Sequence, residues 1–351
     1  MQFARVDMTL KELETLSMLE MLIRNGNTEA VAAQKLKGMG LDSQQVDRVI
    51  EIRLAIAAQR RLIAMGHAIA DPEDAPQAWY QGPSPEDIFW PTLKALMEAD
   101  PRWASAVPSL DAASTDVVSL LADPHSPTIR TRGLVVGHVQ SGKTANFTAT
   151  IAKAADAGYR LFIVLSGVHN ALRKQTQQRL DQQLYDLQKA RWVQLTDEKR
   201  DFGNPVKALA LLQSTDLRVY AVVKKNVSRL TRLRDWLREA HRYGGLDTCP
   251  VLVIDDESDQ ASPNAASNAE LNRTKVNERI VELLNLPRVA YVGYTATPFA
   301  NVLINPSEAE GLYPRDFIFA LDKPDAYFGS EELFGAPVPE DEAAETMRRT
   351  T

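Results

Sequence analysis

The order of apolar and polar residues divides the chain into a helical first part and a mixed second part. Residues 8 to 66 show the three- and four-residue spacing of amphipathic helices. Thr9 and Glu12 have the spacing of a capping box, which predicts where the first helix begins. Breaks at residues 25–27 and 38–40 then indicate three helices, the last running from Ser43 to Met65. The predicted apolar stripe of the first helix comprises Leu10, Leu13, Leu16, Leu19 and Ile23.

Residues 71 to 87 are rich in proline, aspartate, glutamine and glycine, a composition that is typical of a linker. Further helical segments are predicted around residues 93–97 and 117–121. We therefore divide the chain into an all-helical N-terminal bundle at 1–70, a linker with a helical segment at 71–125, a lobe at 126–320, and an inter-lobe segment with an acidic tail at 321–351. The bundle is either a packing or interaction unit or a helix-turn-helix-like module.

Short apolar runs separated by helix-like runs begin at about residue 126. This alternation predicts an α/β fold with a parallel sheet covered by helices on both faces. In such sheets, ligands bind at the carboxyl ends of the strands. The predicted strands are at residues 133–136, 161–165, 219–223, 251–254 and 289–293.

The composition limits the kinds of site that the chain can hold. The 351 residues have a net charge of −6, which argues against a surface that is basic throughout but allows a local basic groove. Cys249 is the single cysteine, so neither an internal disulfide nor a cysteine-based zinc site is possible. His138, His169 and His241 do not share metal-ligand spacing. With no apolar run long enough to span a bilayer and no signal-peptide core, we expect a cytoplasmic protein without a membrane partner.

The segment Gly137–Thr144 fits the phosphate-binding pattern G-x-x-x-x-G-K-[ST] at every fixed position, between a predicted strand and a predicted helix. Glycines let the loop amides turn toward phosphates, and the helix N-terminus adds positive potential there. Lys143 is expected to contact the β- and γ-phosphates and to serve catalysis, while Thr144 holds Mg²⁺. The alternative is a chance glycine-rich turn. The predicted ATP-binding residues are Gly137, His138, Val139, Gln140, Ser141, Gly142, Lys143 and Thr144.

An apolar strand that ends in acidic residues, at 251–259, is the second candidate element. One carboxylate there would hold Mg²⁺, and the next would polarise an attacking water. We assign Asp256 to the metal and Glu257 to catalysis, while an offset by one leaves Asp255 as an alternative metal ligand. The competing interpretation is a strand-end turn with solvated acids.

Polar residues at three other strand ends complete the candidate set. Thr295 and Thr297 follow an apolar run and could bond the acidic motif and sense the γ-phosphate. Amide, hydroxyl and basic side chains could hold a phosphodiester backbone without reading bases, although a solvated basic face is the plainer alternative. These nucleic-acid candidates are Gln175, Thr176, Lys224, Lys225 and Asn226. Trp90 and Gln81, upstream of the loop, are the candidates for contacting adenine.

The order of these motifs resembles lobe one of superfamily-two helicases. Gly137–Thr144 looks like motif I, Leu172 with Gln175 resembles the Leu-x-x-Gln of motif Ia, Asp256–Asp259 looks like the D-E-x-D box, and Thr295–Thr297 is similar to motif III. The closer similarity is to the Z-one domain family, which carries an endonuclease label. The segments that resemble this family are 139–146, 154–158, 254–262, 294–301, 314–318 and 327–329, within a region from about 126 to 335.

The resemblance implies a RecA-like P-loop NTPase lobe that binds ATP and Mg²⁺ and acts on DNA in bacterial restriction or anti-phage defence. Methyltransferases, nucleases and MutL- or MORC-like ATPases are the implied partners. A non-enzymatic nucleotide- or DNA-binding module and a component of an endonuclease remain alternatives, although no nuclease constellation stands out. The family pattern places a second lobe with arginine fingers after the first, and the chain ends at Thr351. Without such an arginine, hydrolysis is expected to be slower by about 10³–10⁵.

Overall fold

The computed structural model describes residues 9–66, 68–69, 79–137, 142–203, 208–260, 275–298, 301 and 311–322. The acidic tail and the loop residues 138–141 lie outside these ranges. The helices are α1 Leu10–Arg24, α2 Glu29–Gly38, α3 Ser43–Gly66, α4 Phe89–Ala99, α5 Val107–Leu120, α6 Lys143–Ala157, α7 Asn170–Leu180, α8 Ala208–Leu212, α9 Val227–Arg242 and α10 Lys275–Leu284. The strands are β1 Ala68–Ile69, β2 Arg132–Val136, β3 Leu161–Ser166, β4 Trp192–Gln194, β5 Arg218–Lys224, β6 Val251–Asp256, β7 Val289–Thr295 and β8 Phe317–Ala320.

The three predicted N-terminal helices are confirmed as α1, α2 and α3, and the predicted capping box of α1 is present. Their apolar side chains form a separate small core. The buried side of α1 differs in part from the predicted stripe. Thr15, Leu19 and Ile23 are buried at four-residue spacing, so that Leu10 and Leu13 lie on the exposed side, at 76% and 47% exposure.

An eight-stranded sheet in the order β1-β8-β2-β7-β6-β3-β5-β4 forms the centre of the second part. Seven strands run parallel, and the two-residue β1 pairs antiparallel with β8. All five predicted strands are confirmed. Gly133 of β2 allows the ring of Phe317 in β8 to pack against the backbone, since a Cβ there would lie 2.1 Å from the ring.

Helices cover both faces of the sheet, as predicted, and successive residues of β6 show the alternation. Leu252 and Ile254 belong to the core shared with α4, α5 and α6. Val251 and Val253 belong to the core shared with α9 and α10. The strand therefore presents even-numbered residues to α6 and odd-numbered residues to α9.

The predicted linker segment 71–125 is, over the described residues 79–125, an integral part of the main core, because side chains of α4 and α5 pack with those of α6 and the sheet. Asp156 of α6 fixes the start of α4, since its carboxylate accepts hydrogen bonds from the backbone amides of Ile88, Phe89 and Trp90. Lys153, buried on α6, lies 2.7 Å from Asp111 of α5. None of the helices in the described ranges combines the length and the apolar character needed to cross a membrane.

Candidate functional site

The carboxyl ends of the parallel strands bring the separate sequence motifs to one edge of the sheet. β7 lies between β2 and β6, with Val136 beside Thr295 and Asp256 beside Tyr294. β3 follows on the other side of β6. The phosphate-loop pattern, the acidic strand end and the threonine segment therefore meet there.

The described ends of the Gly137–Thr144 segment have the geometry of a strand-loop-helix turn. Gly137 donates its amide to the carbonyl of Thr295 at 3.0 Å. Gly142 has φ 79°, in the left-handed region that favours glycine, and α6 begins at the next residue. Lys143 is buried, with Nζ 3.5 Å from the carbonyl oxygen of Gly137. The predicted binding residues His138, Val139, Gln140 and Ser141 lie outside the described residues.

A cleft of about 330 Å³, which we call the edge cleft, opens beside the start of α6. It brings together the two motifs that carry the predicted chemistry: Lys143 and Thr144 from one, Asp256 and Glu257 from the other. The edge cleft is lined by Trp103, Gly142, Lys143, Thr144, Ala145, Gly167, Leu172, Gln175, Thr176, Arg179, Asp256 and Glu257.

The two aspartates at the end of β6 face opposite sides of the sheet. Asp255 is completely buried, with Oδ1 2.8 Å from Nζ of Lys225 and Oδ2 accepting a hydrogen bond from Tyr291 at 2.8 Å. Asp256 lines the edge cleft with Lys143. Both oxygens of Asp255 are thus engaged away from the cleft, which favours Asp256 over Asp255 as the metal-binding candidate.

The environment of Asp256 makes its ionisation costly. Burial, followed by the nearby negative charge of Glu257, raises the pKa of Asp256 from its ordinary value of 3.8 to about 6, against the opposing effects of Lys225 and Lys143. A cation in the edge cleft would favour the charged form, because it would replace part of the lost hydration.

Glu257 occupies a backbone conformation that is uncommon for a residue with a side chain. Its φ is 54°, within the left-handed region. The carbonyl oxygen of Glu257 accepts hydrogen bonds from Nζ of Lys225 at 2.6 Å and from the amide of Gln260 at 2.9 Å. This turn carries the chain from β6 into the acidic motif.

The two threonines predicted as sensors form hydrogen bonds to Asp259, the last aspartate of the acidic motif. Thr295 and Thr297 donate their hydroxyl hydrogens to the two carboxylate oxygens of Asp259, at 2.7 and 2.8 Å. The amide of Thr297 donates in turn to the hydroxyl of Thr295 at 2.9 Å. Since the carbonyl of Thr295 also accepts from Gly137, one short segment connects the acidic turn to the start of the loop.

The five nucleic-acid candidates do not share one surface. Gln175 and Thr176 line the edge cleft itself. Lys224 bonds Asn170 at 2.9 Å, and the exposed Asn226 caps α9 by accepting from the amide of Ser228. The prediction for Lys225 requires correction: its side chain is buried and paired with Asp255, so it cannot meet a phosphodiester backbone at the surface.

Two of the large side chains in the cleft lining were not among the predicted site residues. Trp103 and the exposed Arg179, in the last turn of α7, both line the edge cleft. Neither belongs to a recognisable motif, and only the folding of α7 over the strand ends brings Arg179 there. The adenine candidates lie elsewhere: Trp90 is buried at 2% exposure in the core, and Gln81 lines a different cavity and bonds Glu20.

Within the described ranges, no group of three histidine, cysteine, aspartate or glutamate side chains is arranged to hold a metal ion. Proteins usually bind Mg²⁺ through one or two carboxylates together with substrate phosphates and water. Thr144 and Asp256, which both line the edge cleft, are the residues that could supply such oxygen donors.

Comparisons with known proteins leave the chain without an assigned family. No family model matches it, and no curated protein matches it. A chain in the Escherichia coli MS115-1 HORMA:CdnC:Trip13 complex is 17% identical, with 83% of this chain and 75% of that chain covered and a TM-score of 0.24. The signal recognition particle receptor FtsY from Elizabethkingia anophelis is 12% identical, with 86% and 88% covered and a TM-score of 0.23. TM-scores this low do not establish a shared fold.

Proposed function

We propose that this chain is an ATP- and Mg²⁺-dependent ATPase module with a helicase-like, RecA-like P-loop lobe that acts on DNA. One observation carries the proposal: side chains from two motifs more than a hundred positions apart in the sequence, Lys143 with Thr144 and Asp256 with Glu257, line the same cleft at the carboxyl edge of a parallel sheet. A cleft at this edge is where open α/β sheets bind their ligands.

Each of the four side chains has a chemical role in this proposal. The ammonium of Lys143 lies at the start of α6 and would neutralise the β- and γ-phosphates. Thr144 and Asp256 would hold Mg²⁺, whose charge supports the departure of the terminal phosphoryl group. Glu257 would orient and deprotonate the attacking water. The raised pKa of Asp256 supports its part, because a charged partner would stabilise the carboxylate.

Two variants test the nucleotide site. Lys143→Ala should weaken Mg²⁺-ATP binding by roughly a hundredfold, since it removes a charge-assisted contact to phosphate. Glu257→Gln should keep ATP binding and lose most of its hydrolysis, because an amide cannot accept the proton of water. Binding is measured by isothermal titration calorimetry, and turnover by phosphate release.

Lys189→Ala is the matched control, because Lys189 is 63% exposed and its salt bridge is to a neighbouring surface residue, Asp186, three positions earlier. It should bind and hydrolyse ATP as the parent does. A Lys143→Ala protein that binds ATP as tightly as the parent would rule out the proposed site.

The action on DNA is supported by the motif resemblance and by polar residues around the same edge. Gln175 lies in the edge cleft, and Lys224 and Asn226 lie at the neighbouring strand end. DNA-stimulated turnover by the chain is the expected result. ATP or DNA binding with no turnover under any condition would favour a non-enzymatic module instead. Metal-dependent DNA cleavage that survives both Lys143→Ala and Glu257→Gln would indicate a separate nuclease site.

A role in bacterial restriction or anti-phage defence, in the cytoplasm and beside a methyltransferase, nuclease or MutL- or MORC-like ATPase, is the biological context that the Z-one resemblance supports. The test is phage plating on cells that carry the intact gene cluster, with either the parent chain or its Lys143→Ala form. Equal protection by both would contradict an ATP-dependent role in defence.

A further inference from the structure

A buried lysine connects the ends of two strands beneath the edge cleft. Lys225 follows β5 directly, and its residue is 3% exposed. Its Nζ lies 2.8 Å from Oδ1 of Asp255 and donates a hydrogen bond of 2.6 Å to the carbonyl oxygen of Glu257. One ammonium group therefore contacts both Asp255 of β6 and Glu257 of the acidic motif.

The strand order explains how this lysine reaches β6. β3 lies between β5 and β6, so the side chain of Lys225 must cross the end of β3. There the chain has Ser166 and Gly167, both small and buried, and the amide of Lys225 donates to the carbonyl of Ser166 at 3.3 Å. Lys225 thus joins the carboxyl ends of three adjacent strands.

The conformation of Glu257 requires a constraint of this kind. A φ of 54° is sparsely populated by residues with a side chain. Such conformations persist when surrounding contacts fix them, and here the contact is a charged donor on the residue's own carbonyl. Since Glu257 lines the edge cleft, whatever holds its backbone also sets where its carboxylate can lie.

We propose that Lys225 is a positioning residue: its buried ammonium, anchored by Asp255, holds Glu257 in the left-handed conformation that places it at the edge cleft. Lys225 itself does not line the cleft. It acts through Glu257 and not on a bound ligand. The kinetic consequence rests on the proposed ATPase function, whereas the structural consequence does not.

The test compares Lys225→Met with Lys225→Arg and with the double variant Lys225→Met/Asp255→Asn. The double variant guards against misfolding, because it removes both buried charges and keeps an acceptor for the hydroxyl of Tyr291. Lys153→Met is the matched control: Lys153 is also fully buried and paired with an aspartate, but lies on α6 away from the cleft lining.

The expected kinetic result is a split between binding and turnover. Lys225→Met and the double variant should bind Mg²⁺-ATP within about threefold of the parent, while kcat falls by roughly a hundredfold. Lys225→Arg should recover part of the loss, since it keeps a cationic donor. Lys153→Met should lose stability without a matching fall in the turnover of the folded protein.

Hydrogen exchange gives a second readout that needs no activity. Amides of the turn at 256–260 should exchange at least about tenfold faster in the double variant, with β3 and β5 unchanged. A double variant with parental kcat and parental exchange in this turn overturns the inference. If the parent chain hydrolyses no ATP, the proposed function fails, and the exchange measurement alone decides whether Lys225 holds the turn.

Discussion

Replacing Asp256 with asparagine should raise the free energy of unfolding of the ligand-free protein, and the same substitution should remove the proposed metal ligand. The pKa of Asp256 is raised from 3.8 to about 6, first by burial and then by Glu257. Asn is nearly isosteric with Asp and carries no charge. The substitution therefore removes an ionisation that the folded chain tolerates poorly at neutral pH.

The size and the pH dependence follow from the two pKa values. A shift of this size corresponds to at most about 3 kcal/mol of unfolding free energy, at about 1.4 kcal/mol per pKa unit. The folded-state pKa of this acid is raised, so its ionisation lowers the free energy of unfolding. That loss is absent well below pH 3.8, where both states are protonated, and complete well above pH 6, where both are ionised. The increase in unfolding free energy that Asp256→Asn brings should therefore be near its maximum at pH 8 and about half of that at pH 5.

Urea unfolding in EDTA at pH 8, 6.5 and 5 measures this difference, and Asp255→Asn is the matched control. Asp255 is paired with Lys225 and bonded by Tyr291, so its loss leaves a buried charge and should destabilise the fold by about 3–5 kcal/mol. Mg²⁺-ATP should then stabilise the parent but not Asp256→Asn. A less stable Asp256→Asn at pH 8, or a gain that does not shrink toward pH 5, would refute this reasoning.

Two further substitutions test other parts of the edge cleft. Thr295→Val removes the hydroxyl that donates to Asp259 and should lower kcat roughly tenfold in a phosphate-release assay, since the half-buried carboxylate that orders the acidic motif loses one of its donors. Unchanged kcat would exclude a role for this contact. Arg179→Met removes a cation from the cleft lining and should weaken Mg²⁺-ATP binding by roughly tenfold in calorimetry, with a smaller loss for ADP; equal affinity for ATP in the variant and the parent would show that Arg179 does not contact the phosphates.

The sequence predicts most of the sheet because its central strands are continuous apolar runs. Buried on both faces, such strands leave a signal that does not depend on their neighbours. Three strands were missed, and all are short: β4 has three residues, β1 has two, and β8 has four, of which only Phe317 and Phe319 are buried. β1 and β4 are the two edge strands of the sheet and are defined by the single strand to which each pairs, so their short sequences carry little information alone.

Lys225 was predicted to contact nucleic acid at the surface because it is basic, but charge alone does not distinguish a surface lysine from a buried one. Beside Lys224 and Asn226 it resembles a basic surface segment, and charge gives no information on burial. The alternation of side chains along a strand does indicate which residues are buried. Lys225 continues the odd-numbered series of Val219, Ala221 and Val223, and Asp255 continues that of Val251 and Val253, with both series in one core. Opposite charges that end two buried series on the same sheet face indicate a buried ion pair, which is the observed arrangement.

The same alternation decides which aspartate can serve the cleft. α6 packs on the face that contains Leu252 and Ile254, so the start of this helix and its lysine lie on the even-numbered side of β6. Asp256 must then point toward the start of α6 and Asp255 away from it. The two carboxylates therefore have different surroundings. Asp255 is paired with the ammonium of Lys225 and the hydroxyl of Tyr291, whereas burial raises the pKa of Asp256 and so opposes its ionisation. At the proposed metal site, a cation bound beside Asp256 would relieve this cost, because it would favour the charged form of the carboxylate.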